Sequence, residues 1–241
     1  MSGEMGYPGA LSAPVWGFED VLFKGDSLSL PQPFETYVME NILFKISFPA
    51  EFHAQTAVEA AVSLHSEIKD RINEIESIEI TTHESAIRII SKVGELNNPA
   101  DRDHCLQYMV AIGLLKGNLV AEDYEDDVAK DPRVDELREK MIINEDKRYS
   151  KEYLEADKRS IANRIKVHFK DGTATNEVEV EYPIGHKRRR KEGIPILEKK
   201  FKDNLSITYD ESKSNEIFEL CMDQRKLEET SVADFQQLLS K

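Results

Sequence analysis

From Ala54 onward the chain carries apolar residues at Ala57, Ala61, Leu64, Ile68, Ile72 and Ile75. That three- and four-residue spacing is one face of an amphipathic helix, which the pattern extends over about six turns. Ile78-Glu79-Ile80-Thr81 then alternates every second residue, as a half-buried strand does. After the break at Asn97-Asn98-Pro99, Asp101 is placed to cap a helix that carries Leu106, Tyr108, Met109, Ile112 and Leu115 and closes at Gly117. Asp131-Pro132 reads as a cap followed by a proline in the first turn, opening a short helix through Val134, Leu137 and Met141. Ile165, Val167 and Phe169 alternate with Lys166, His168 and Lys170, and beyond Asp171-Gly172 the residues Val178 and Val180 alternate with glutamates. These two runs predict a β-hairpin or a neighbouring strand pair with opposite charges on its outer face. Between Asn215 and Leu239, Ile217, Phe218, Cys221, Leu227, Phe235 and Leu238 fall at loosely helical spacings, which predicts one or two helices.

The first forty residues differ from this. Gly3, Gly6, Pro8, Gly9, Pro14 and Gly17 interrupt any long period, while Trp16, Phe18, Val21, Leu22 and Phe23 call for burial. Such a segment reads as packing surface for another layer. The expected fold class is α+β, with a mixed central part at 41–192 flanked by segments 1–40 and 193–241 that belong to a different, helical layer.

Composition narrows the function classes. Asp and Glu number 46 against 32 Lys and Arg, a net charge of −14 over 241 residues, and that field disfavours a phosphate backbone as partner. The two cysteines, Cys105 and Cys221, stand far apart with no CxxC companion, so neither a disulfide framework, a zinc site nor an iron–sulfur cluster is expected. No apolar run approaches the roughly 20 residues of a membrane span, and the first residues do not form a basic segment leading into an apolar one. The expected setting is the cytosol or an organelle matrix.

Three stretches gather groups capable of chemistry. Between Lys45 and His53 an ammonium, a hydroxyl, a carboxylate and an imidazole precede the long helix, where free N–H groups favour a bound anion. The same residues also suit a solvated loop in which His53 caps the helix. Between Asn97 and Tyr108, His104 and Tyr108 are four apart, so on a helix they share a face, and Arg102 adds a bidentate carboxylate contact. The plainer alternative makes Arg102 and Asp103 a surface pair and Tyr108 a core aromatic. The third stretch, Tyr182 to Lys191, places His186 directly before a run of five consecutive cations that includes Arg188, suited to collecting the carboxylates of a small polyacid or to a solvated loop. His65, His83 and His168 lack companions at ligand spacing and read as structural. No metal-ligand, dinucleotide, P-loop or serine-hydrolase motif occurs.

Taken in order, Gly3-Glu4-Met5-Gly6-Tyr7-Pro8, Tyr37-Val38-Met39-Glu40-Asn41 and the blocks Lys45–His53, Asn97–Tyr108 and Tyr182–Pro195 resemble the MmgE/PrpD family. That family contains 2-methylcitrate dehydratases and cis-aconitate decarboxylase, and the spacing is that of the prokaryotic-type dehydratase branch. The resemblance implies a cofactor-independent lyase acting on a tricarboxylate, dehydrating 2-methylcitrate to 2-methyl-cis-aconitate in propionate breakdown, with no metal. It implies a helical domain built from both ends of the chain, an inserted α+β lid, and a homodimer. Lys45 matches the family's carboxylate-binding lysine and Tyr108 its active-site tyrosine. His53 and His104 join them as catalytic candidates, and Arg102, His186 and Arg188 as substrate-binding ones. Family members are about twice as long, so an N-terminal half is expected to be missing. Two other readings stay open: a cis-aconitate decarboxylase-like lyase, and a catalytically incomplete remnant that docks on a full-length homologue.

Overall fold

The computed structural model describes residues 6–30, 38 and 41–240. Gly3, Glu4, Met5, Tyr37, Met39 and Glu40 of the motifs above lie outside the described residues. The chain divides into two compact units, Met1–Asn41 and Ile42–Lys241.

In the first unit, helix α1 (Phe18–Phe23) starts after Gly17 and ends where Lys24 turns into the left-handed region at φ 57°. This unit exposes large apolar side chains, among them Val15 and Trp16 before the helix and Val21 and Leu22 within it, Trp16 being 85% exposed.

The second unit is built on a four-stranded sheet whose strands, from one edge to the other, are Met141–Glu145, Ile75–Thr82, Asn163–Phe169 and Val178–Val180. Helix α2 (Gln55–Ile68) comes first and buries Ala57, Val58, Ala61, Leu64 and Ile68. It is shorter than the periodicity predicts. Lys69–Glu74 tightens into 3₁₀ geometry broken at Arg71, with φ −125° and ψ 16°. There the guanidinium leaves the helix to pair with Glu74 and Asp171 and to lie over the Phe169 ring. Ile75, counted from the pattern as helical, is instead the first residue of β1 (Ile75–Thr82).

The chain then crosses over through several helices: α3 (Glu84–Ile90), α4 (Pro99–Arg102), α5 (Leu106–Lys116), α6 (Asp126–Ala129) and α7 (Pro132–Glu139). It returns as β2 (Met141–Glu145), parallel to β1, and continues into α8 (Lys147–Leu154). Strand β3 (Asn163–Phe169) runs antiparallel to β1, and β4 (Val178–Val180) antiparallel to β3 with Ile165 opposite Val178, so the expected hairpin is present. The tail holds α9 (Arg190–Thr208), α10 (Glu211–Met222), α11 (Gln224–Glu229) and α12 (Val232–Leu238). The stretch 215–239, expected to form one or two helices, falls in three, α10 to α12, because Asp210, Asp223 and Ser231 each cap a new start with their side chains.

One face of the sheet is apolar and one charged. Ile78, Ile80, Ile165 and Val167 are buried on the face that α2 covers, with α5 packed on α2 in turn, while Glu79 lies opposite Lys166 on the outer face. Helix α5 is apolar nearly all round and buried from Leu106 to Leu114, the signature of a central helix. It ends at Gly117, whose φ of 67° suits a residue without a side chain.

The predicted start of α5 is corrected by its caps. Asn98, not Asp101, accepts the first free N–H, from Asp101 at 3.0 Å, and with Pro99 in the first turn it nucleates the separate short α4. A turn at Asp103-His104 follows, and α5 begins only at Leu106. His104 and Tyr108 therefore do not share a helix face: His104 is exposed and Tyr108 is buried.

Candidate active site

Three sheet ends converge on one edge. Strands β1 and β2 are parallel, so their C-terminal ends lie together, and the start of antiparallel β3 lies beside them. His83 directly follows β1, α8 directly follows β2, and Asn163 opens β3. The 3₁₀ turn Phe52–Ala54 that leads into α2 meets this edge, since the Asn163 side chain donates to the His53 carbonyl at 2.9 Å and to the Thr56 hydroxyl at 2.8 Å.

His53 is held on both ring nitrogens. Its backbone N–H donates to Glu51 Oε2 at 2.9 Å, and its Nδ1 stands 2.8 and 2.9 Å from the two carboxylate oxygens. An ionised carboxylate only accepts, so Nδ1 carries a proton, and in the neutral form of the ring it is Nε2 that keeps the lone pair. That lone pair faces the Tyr153 hydroxyl on α8 at 3.1 Å, placing the phenol as donor. The expected helix-end anion site is thus filled from within the chain, by Glu51.

Behind this pair sits His83, fully buried, its Nδ1 accepting from the Ala86 N–H at 3.4 Å to cap α3. Its ring stacks on Tyr153 at 4.7 Å with 12° between planes and lies 5.2 Å from the His53 ring. Burial, together with the charge of His53, drives the His83 pKa down to about 4, against the pull of Glu51. It is therefore neutral at pH 7, with its proton on Nε2. For Glu51 burial works upward, but the hydrogen bonds and charge of His53, with a contribution from His104, outweigh it and hold the carboxyl below its ordinary value. His104, exposed and paired with Asp103, is thus within electrostatic reach of the pair.

The other candidates are placed separately. Lys45 is exposed, with its ammonium 5.2 Å from the ring centroid of Phe52, the neighbour of His53. Tyr108 donates its hydroxyl to the Asp123 carbonyl at 2.6 Å and stacks near Tyr124; burial raises its pKa to about 12, so the phenol keeps its proton. Arg102 is buried and donates to the Tyr124 carbonyl and to Asp126. In the basic loop, His186 is buried against Tyr182, and burial with the neighbouring cations lowers its pKa to about 4. A neutral ring at pH 7 does not act there as a carboxylate-collecting cation. Arg188 is exposed and donates to the Asp157 carbonyl at 2.5 Å. Arg189 is committed to Glu59 and Glu192.

Sequence reasoning missed Tyr153 and read His83 as structural. The available signal was position: an imidazole directly after a predicted strand stands at a sheet edge. Among the described residues no group of three or more His, Cys, Asp or Glu side chains is arranged to hold a metal ion, and no helix is long and apolar enough to cross a membrane.

A carboxylate, an imidazole and a phenol in line at a sheet edge define an α+β domain equipped for proton transfer. Residues 48–224 match the MmgE/PrpD C-terminal domain, and the chain belongs to the MmgE/PrpD family. It is 55% identical over 237 residues to the 2-methylcitrate dehydratase of Escherichia coli (strain K12), a match covering 97% of this chain and 49% of that protein. The 2-methylcitrate dehydratase of Cupriavidus necator is 53% identical over 237 residues, with 97% and 49% covered. The mitochondrial 2-methylcitrate dehydratase of Yarrowia lipolytica is 55% identical over 218 residues, covering 89% of this chain and 42% of that protein. The chain spans about half the length of the curated relatives it matches.

Proposed function

We propose that this chain is the C-terminal part of a cofactor-independent hydro-lyase that dehydrates 2-methylcitrate to 2-methyl-cis-aconitate. The observation that carries the reading is the 55% identity sustained over 97% of the chain with a 2-methylcitrate dehydratase. The Glu51–His53 pair supports it.

Dehydration removes a proton from a carbon next to a carboxylate, forms the double bond, and releases hydroxide, which must be protonated as it leaves. In this reading His53 Nε2 takes the carbon-bound proton. Glu51 stabilises the imidazolium that results, and the carboxylate keeps Nδ1–H pointed away from the substrate. The acids assigned to the leaving hydroxyl in this reading are His104 and Tyr108, the latter by giving up its bond to the Asp123 carbonyl. Lys45 and Arg188, both exposed cations, are assigned to the substrate carboxylates, and Arg102 and His186 are the weaker substrate-binding assignments because the first is committed to Tyr124 and Asp126 and the second is neutral at pH 7. The complete enzyme pairs this part with an N-terminal half, works as a homodimer, and resides in the cytosol or the mitochondrial matrix.

The test is an assay of the purified chain with 2-methylcitrate, following ultraviolet absorbance of the new conjugated double bond, with and without a family N-terminal half added in trans. Absorbance that grows with the added half is the expected result. Itaconate and carbon dioxide from cis-aconitate would replace this reading by a decarboxylase. Silence in both arrangements, with co-elution on a full-length relative, would replace it by a docking remnant.

A further inference from the structure

The two rings that sequence reasoning left out, Tyr153 and His83, are the ones against which the His53 imidazole rests. The Tyr153 hydroxyl is the protein group at Nε2, 3.1 Å away, and Glu51 already fixes the opposite nitrogen. A phenol on a surface helix turns freely about its ring bonds unless something holds the plane. Here the buried His83 ring lies against it at 4.7 Å and 12°, anchored by the cap it makes to α3. The cap also sets the tautomer of His83, because an Nδ1 that accepts from Ala86 leaves the proton on Nε2.

We propose that Tyr153 and His83 are positioning residues of His53, the Tyr153 hydroxyl marking the direction of the Nε2 lone pair and the His83 ring holding that hydroxyl in place. Tyr153 thereby keeps Nε2 unprotonated and correctly aimed until a substrate C–H takes its place. The catalytic consequence rests on the proton-transfer role proposed for His53, whereas the geometry can be read without turnover.

The chain has six histidines, few enough for their imidazole nitrogens to be resolved by ¹⁵N NMR at neutral pH. The expected spectrum shows His53 as the Nδ1–H tautomer and His83 as the Nε2–H tautomer. Tyr153→Phe keeps the ring and its stacking but removes the donor, and it should move the His53 Nε2 resonance while leaving His65, bonded to the Leu114 carbonyl, unchanged. His83→Asn keeps an N-cap acceptor for α3 but removes the flat ring, and it should move the same resonance in the same direction. A His53 signal that stays put in Tyr153→Phe, or a His53 proton found on Nε2, overturns the proposal. An unmoved signal in His83→Asn overturns the part assigned to His83. With the N-terminal half added, Tyr153→Phe should lower kcat about three- to tenfold, the loss of one neutral hydrogen bond, with KM unchanged. If the wild-type pair proves inactive while the NMR shifts are present, the proposed function fails and the positioning stands.

Discussion

Replacing Glu51 by Gln isolates the charge that orients His53. The carboxylate accepts from the His53 backbone N–H and from Nδ1, and its side chain is 16% exposed, so solvent screens it only in part. A Gln oxygen can still accept from one of these donors, but without charge. Charge-assisted bonds contribute about 1.5–3 kcal/mol and neutral ones about 0.5–1.5, so Glu51→Gln should cost about 1–2 kcal/mol at pH 7. At a urea slope of about 3 kcal/mol/M this lowers the midpoint by about 0.5 M. Far-UV circular dichroism is the right probe. The single tryptophan, Trp16, is already exposed in the folded chain and changes its surroundings little on unfolding.

The pH dependence adds a second constraint. The carboxyl is held below its ordinary value of 4.5 in the folded chain, so its contribution is fully present above that value. As the pH falls the unfolded chain takes up the proton first, and the contribution disappears as the folded carboxyl is protonated in turn. The wild type and Glu51→Gln should therefore differ most above about pH 4.5 and converge below it. Asp131, Glu145 and Asp171 are also held low, by hydrogen bonds, but they are present in both proteins and cancel from the difference. A gap that stays constant from pH 7 down to about 3, or that widens in acid, would refute the assignment of the shift to Glu51.

Gly185→Ala places a Cβ onto the Phe44 carbonyl oxygen and disturbs the bond from the Phe44 N–H to Gly185 O; it should destabilise by about 1–3 kcal/mol, and an unchanged Tm would contradict this. Asn163→Ala removes the buried amide from the His53 carbonyl and the Thr56 hydroxyl and should cost about 1–3 kcal/mol in urea melts, with a displaced His53 NMR signal; a loss of stability without that displacement would show that Asn163 does not hold the turn. Tyr108→Phe deletes the donor to the Asp123 carbonyl and should lower stability by about 1 kcal/mol with the fold intact; a midpoint equal to wild type would mean the bond contributes nothing net.

The elements with a strict period were legible in the sequence. The alternation at Ile78–Thr81 and Ile165–Phe169 located two strands because one face of each is buried and the other carries Glu79, Lys166 and His168. The reading went too far where a period continued by coincidence. Ile72 and Ile75 stay in phase with α2, yet Arg71 just before them is drawn out towards Asp171, past the end of β3, and the helix gives way. It misplaced the start of α5 because Asp101 and Asn98 are both good caps, and only the backbone decides that Asp101 turns its carboxylate back to the Asn97 N–H.

The site was less legible for a reason that lies in topology. A search by spacing sees groups that share a helix face or a loop, and so it paired His104 with Tyr108, which a turn then separates. Only Glu51 and His53 stand in one stretch that spacing picks out; His83, Tyr153 and Asn163 come from three other segments, and no spacing relates these to the pair. What brings them together is that β1 and β2 are parallel while β3 runs against them, so residues just after two strands and at the start of a third must share one edge. Strand polarity therefore carries information that residue spacing does not. Once Ile78–Thr81 is known as a strand and a crossover returns parallel to it, His83 and the helix after β2 are the places to look for reacting groups. The burial of His83 is consistent with both its structural cap and its place behind the Tyr153 ring.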